Sequence, residues 1–265
     1  MKYFPDFLTL RKIEPAMVIF LAALAPAIIL MWYVYHKDIQ PEPVRLVVKG
    51  FLFGAISTFV STLISTPLQE LGLYTSEPAD LIGCIKISFF GAAIPEECAK
   101  LFMLWLLLRR CKEFDERYDG IVYAVAVGLG FASIENLLYV VAAGSAWFQV
   151  SVSRALLSVP GHFAFAVAMG YYYSLHHFHG TSAPAGTKAN IILVPVLLHG
   201  IYDTLAFWSD ISPFLSGIIT LGLLYFCFKL FKFTRNRIRT EAAENDDIHR
   251  ILRDSSGPVD GPDEQ

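Results

Sequence analysis

The stretch Ala92-Ala-Ile-Pro-Glu-Glu-Cys-Ala-Lys100 decides how this chain is read. It lies inside residues 81–108, a run otherwise apolar enough to cross a bilayer. Each charge deep in such a helix costs about 2.5–3.5 kcal/mol on insertion scales, so charges there face a protein interior or a wet cavity. On a helix, Lys100 lies within reach of Glu96 at i,i+4 and of Glu97 at i,i+3. Pro95 has no N–H to return to residue 91 and loosens the helix just before the acids. A packing ion pair would explain this stretch taken alone. The rest of the chain points further.

The chain has 265 residues, of which 55% are hydrophobic and 17% charged, which excludes an ordinary soluble domain. Apolar runs of about 20 residues recur along it, the mark of a polytopic helical membrane protein. The expected fold is an all-α transmembrane bundle of about seven spans: residues 15–35, 44–66, 81–108, 119–143, 153–177, 189–208 and 212–233. Residues 1–239 would form the membrane domain, and 240–265 a polar cytoplasmic tail too poor in apolar residues to fold alone. Gly50 and Gly54, and separately Ala124, Gly128 and Ala132, make smooth helix faces suited to close contact with a neighbour. The four cysteines show neither disulfide nor zinc-ligand spacing.

Loop charges orient the spans. Lys37, Arg45 and Lys49, then Arg109, Arg110, Lys112 and Arg117, then Lys188, follow the first, third and fifth spans. The alternate loops lack basic residues before Arg154. Basic loops stay in the cytoplasm, so the N-terminus is expected outside and the C-terminus inside; Lys2, Arg11 and Lys12 oppose that for the first span.

With that topology, four spans carry buried polar groups at similar depth. At 1.5 Å rise per residue, Glu135 lies about 12 Å below the outer face, His162 and His199 about 14 Å, and Glu96 and Glu97 about 22 Å. Asp203 is one turn from His199 on the same face. Each residue alone has a plain packing explanation: a hydrogen-bonded core histidine, a His–Asp pair, a Glu135 paired with Arg154 or Lys100. Such a set shared by spans three to six is instead what a buried acid/base or metal site requires.

Two histidines and a carboxylate can hold zinc and leave a position open for water. In that reading His162, His199 and Glu135 (or Asp203) are ligands, and Glu96 or Glu97 is the general base. In a metal-free version the carboxylates activate water, and a histidine protonates the leaving amine or stabilises the oxyanion. Both versions stay open here. A proton- or cation-coupled transporter also uses buried Glu, Asp and His, but neither Glu-Glu-x-x-Lys nor His-x-x-x-Asp recurs as an internal repeat would require. A catalytically silent membrane scaffold is the remaining alternative.

Together the motifs resemble the PrsW family of bacterial intramembrane proteases, related to the CAAX-protease and bacteriocin-processing superfamily. They are Glu96-Glu97-x-x-Lys100, Phe131-x-x-x-Glu135, Arg154 followed by His162, and His199-x-x-x-Asp203, on consecutive spans. The first loop, Tyr35-His-Lys-Asp-Ile-Gln-Pro-Glu-Pro43, is also similar. The resemblance implies an endopeptidase cutting in or beside the transmembrane segment of a single-span substrate such as an anti-sigma factor, at the extracytoplasmic side of the bacterial inner membrane. It implies Glu96, Glu97, Glu135, His162, His199 and Asp203 as site residues, with Lys100 and Arg154 in support. No nucleic-acid partner is expected.

Overall fold

The computed structural model describes residues 10–255. The described chain is helical, with no strand: α1 (Leu10–Tyr35), α2 (Val44–Glu70), α3 (Leu81–Lys86), α4 (Ile94–Leu108), α5 (Arg117–Ala142), α6 (Trp147–Ser153), α7 (Val159–His179), α8 (Thr187–Ile211) and α9 (Ser216–Ser255). Among the described residues, six helices are long and apolar enough to cross a membrane, as a multi-pass membrane protein requires. The third expected span is built differently. It runs as α3, a π-helical segment Ile87–Ala93 and α4 without a break. Its start is fixed by Asp80, whose side chain accepts from the Gly83 N–H at 2.7 Å.

A second π-helical segment, Arg154–Ser158, joins α6 to α7. Each π segment gives way to an α-helix with a proline at its first turn, Pro95 in α4 and Pro160 in α7. Proline has no N–H to contribute to the preceding turn, so a helix can change its winding there at least cost. Pro195 lies inside α8, one turn before His199. Glu96, Glu97, His162 and His199 therefore sit just beyond locally altered helix.

Helix α5 is the axis of the bundle. Tyr118, Ile121, Val122, Val125 and Leu129 are fully buried, packed with Val34 of α1 and Val159 and Val167 of α7. Such all-round burial needs close neighbours, and small residues provide them. A Cβ on Gly54 of α2 would overlap the Val127 carbonyl of α5, and one on Gly130 of α5 would overlap the Phe51 carbonyl of α2. On the α7 side a Cβ on Gly128 would stand 2.6 Å from the Ala166 methyl. Both smooth faces read from the sequence thus meet a neighbour.

One expectation is corrected. Residues 240–255 are not an unfolded tail but the continuation of α9. Arg117 at the start of α5 pairs with Glu241 and Glu244 at 2.8 Å each, and Asn245 hydrogen-bonds Glu116. Ile238 is fully buried in the core cluster around α5. Low hydrophobic content does not leave a segment unfolded when a long helix presents one face of it to the bundle. The rest of the expected tail lies outside the described residues.

Gly54→Ala should press a methyl into the α5 backbone and cost on the order of 1–3 kcal/mol or more. Thermal unfolding of the detergent-solubilised protein should show a clear loss of stability. Gly217→Ala, where a Cβ meets nothing within 4 Å, should leave the transition unmoved.

Candidate functional site

The expected site residues come together between α4, α5, α7 and α8. At the centre is Lys100, only 3% exposed. Its ammonium donates to Glu97 Oε1 at 2.8 Å, lies 3.5 Å from Glu96 Oε2 and donates to His162 Nδ1 at 3.1 Å. It also stands 3.9 Å from the centroid of the Phe131 ring, whose π face attracts a cation. A lysine in this position is compensated on every side, the condition for keeping a charge inside a membrane protein.

The two glutamates of the motif have different surroundings. Glu97 is fully buried, and its Oε1 takes Lys100 and, at 2.9 Å, His199 Nδ1. Its Oε2 is buried with no hydrogen-bond partner. Glu96 is turned the other way and lines a cavity of about 430 Å³. Glu135, His162, His199, Asp203 and Arg154 line the same cavity, whereas Glu97 and Lys100 lie behind its wall. Spacing in the sequence allowed Lys100 to reach either acid; the fold sets it closer to Glu97, at 2.8 Å against 3.5 Å, and turns Glu96 to the cavity.

The histidines are held by complementary partners. His199 directs Nδ1 at Glu97 and Nε2 at Asp203, 3.2 Å away one turn along α8, with Glu96 Oε2 at 3.8 Å. Its ring stacks on Phe165, with centroids 4.8 Å apart. His162 accepts from Lys100 at Nδ1, so its own ring N–H is on Nε2, which donates to Glu135 Oε2 at 2.7 Å. Arg154 completes the set. Its guanidinium donates to Glu135 at 2.8 Å and to Asn136 Oδ1 at 3.0 Å, and stacks on Tyr139 at 4.0 Å. Asn136 in turn donates to the Ala23 carbonyl of α1. Of the two partners the sequence offered Glu135, the fold uses Arg154.

Glu96, His162 and His199 bring one donor atom each within 4.8 Å of the others. This differs from the ligand set expected from sequence, because Glu135 is engaged by the Arg154 guanidinium. Two imidazoles and a carboxylate on three helices suit zinc. His199 fits best, since the carboxylate on its Nδ1 orients a metal-binding Nε2. Both imidazoles are engaged at both nitrogens, so ligation would mean that His162 gives up its bond to Lys100 or Glu135 and His199 its contact with Asp203. Tyr139 and Tyr202, which also line the cavity, went unnoticed in the sequence. Their only signal is spacing: Tyr139 is one turn beyond Glu135, and Tyr202 adjoins Asp203.

Comparisons with known proteins show the family of the chain. A family model described as "PrsW family intramembrane metalloprotease" matches residues 42–231. The chain is 34% identical over 222 residues to Protease PrsW of Geobacillus kaustophilus, covering 83% of this chain and 94% of that protein. It is 35% identical over 188 residues to Protease PrsW of Clostridioides difficile, covering 70% and 77% respectively. With Protease PrsW of Bacillus subtilis it shares 36% identity over 183 residues, 69% of this chain and 79% of that protein. No solved structure matches. The matched region contains every residue of the cavity cluster, and the chain belongs to the PrsW family of intramembrane proteases.

Proposed function

We propose that the chain cleaves a peptide bond in or near the transmembrane segment of a single-span membrane protein, an anti-sigma factor being the substrate class the family resemblance suggests. The observation that carries this reading is the division of labour between adjacent acids: Glu96 faces the cavity, Glu97 does not. In the proposed reaction Glu96 takes a proton from water as the water oxygen bonds to the carbonyl carbon. Arg154 lines the cavity and offers positive charge to the developing oxyanion. When the C–N bond breaks, the proton held by Glu96 goes to the departing amine. His162 and Glu135 hold one another in place, and Lys100 with Glu97 fixes the angle of His199 from behind.

Glu96, His162 and His199 would hold a zinc ion, with Asp203 beside His199. A zinc ion there supplies a Lewis acid that polarises the substrate carbonyl and promotes ionisation of water. The base would then be one of the carboxylates outside the ligand set. Loop charges support a cavity nearer the outer leaflet and a cytoplasmic C-terminus, and the family resemblance suggests the bacterial inner membrane.

Glu96→Gln, Glu97→Gln, Glu135→Gln, His162→Ala and His199→Ala should each cut cleavage of a membrane-spanning reporter by at least about a hundredfold, while the protein still accumulates. Full proteolysis by this set would sink the site. Lys100→Met should act differently. It strands Glu97 as an uncompensated buried charge and should cost about 3–5 kcal/mol in thermal unfolding. Adding Glu97→Gln to Lys100→Met should restore part of the stability but no activity. Metal content of the purified protein, compared with His199→Ala, chooses between mechanisms. Near-stoichiometric zinc lost in the variant supports the metal-dependent version. A metal-free preparation that still cuts the reporter leaves Glu96 as the sole water activator.

A further inference from the structure

At the bundle end where α1 turns into α2, three carboxylates from separate parts of the chain meet. Asp38 and Glu42 lie in the loop between these helices, and Asp119 is in the first turn of α5. They are 7%, 4% and 1% exposed, and one oxygen from each lies within 4.8 Å of the others. We propose that Asp38, Glu42 and Asp119 form a site for a hard divalent cation, Mg²⁺ or Ca²⁺, which clamps the α1–α2 loop to the start of α5.

The hydrogen bonds around the cluster leave acceptor capacity unused. Asp38 Oδ1 accepts from the Gln40 N–H at 3.2 Å. Asp119 Oδ2 accepts from the N–H groups of Asp115 and Glu116 at 3.1 and 2.7 Å. Glu42 Oε2 accepts from the Tyr123 hydroxyl. The second oxygens, Asp38 Oδ2 and Asp119 Oδ1, are buried with no hydrogen-bond partner. Of the nearby basic side chains, Arg45 pairs with Glu113 and Arg117 with Glu241 and Glu244, while Lys37 and Lys112 are exposed. Burial, with the neighbouring Glu42 adding to it, pushes the Asp38 carboxyl up to about 7.

Converging buried carboxylates that lack a counter-charge repel one another, and a cation removes that cost. The donors are all oxygen, with no imidazole or thiolate among them, which selects Mg²⁺ or Ca²⁺ over zinc. This centre is separate from the cavity. Along α5, Asp119 and Glu135 are about 24 Å apart at 1.5 Å per residue. Because Glu116 and Arg117 also hold α9, a clamp at Asp119 bears on that helix as well.

The test uses the full-length protein in detergent, stripped with chelator, with MgCl₂ or CaCl₂ then added singly. Saturating cation should raise Tm by about 5 °C or more in wild type and equally in His199→Ala. Equilibrium dialysis against radioactive calcium, or metal counting for magnesium, should find one ion per chain in both. Asp119→Asn, which keeps one carbonyl oxygen for the backbone N–H groups, and Asp38→Asn should each abolish the rise and the bound ion. Absence of a bound ion in wild type overturns the proposal whatever the variants do. So does a rise that survives in either Asn variant. If Asp119→Asn and Asp38→Asn raise Tm without any cation and wild type responds to none, the cluster is a set of strained acids and the proposal is wrong.

Discussion

Everything in the cavity depends on the charge of Lys100. A buried ammonium in a membrane helix has to be matched from several directions at once, and here the matches come from three helices. Glu97 is on its own helix, His162 on α7 and Phe131 on α5. Glu97 then reaches α8 through His199, and His162 returns to α5 through Glu135. One cation thus links four helices into a closed ring of contacts. Such a network is costly when broken at one point, which suits a site whose parts must be held to a fraction of an ångström.

That ring is possible only because the helices come close enough for short polar side chains to meet. The seam between α2 and α5 brings backbone against backbone at Gly54 and Gly130, and α5 meets α7 at Gly128 and Ala166. Large residues there would push the helices apart and open the hydrogen bonds of His162. On the far side α8 lies against the third span, with Gly200, next to His199, packed on the Phe89 ring. The small residues set the distances, and the charged ones exploit them.

Most of this was legible from residue types and spacing. Costly residues in apolar runs mark themselves, and Lys100, His199 and Asp203 have partners at i,i−3 or i,i+4 that helix geometry reveals directly. Distant pairings were harder. Which of the two acids faces the cavity depends on how α4 is turned about its axis beyond the π segment, and no local preference announces that winding. The meeting of Asp38 and Glu42 with Asp119 was hidden because the α1–α2 connection reads as an ordinary polar linker. Residues 240–255 look unfolded by composition, and only the partners offered by Glu116 and Arg117 at the start of α5 explain their helix.

The π-helical segments carry an evolutionary consequence. A π turn accommodates one residue more than the α-helix around it, which rotates everything beyond it by about 100° about the helix axis. Glu96 follows one such segment and His162 the other. No exchange of one side chain for another can reproduce a rotation of that kind. Apart from side chains with a role of their own, such as Arg154 in the cavity and Phe89 against Gly200, drift in these two segments can change residue identity more readily than residue number. A lineage that shortened either by one position would have to rebuild the cavity from different residues.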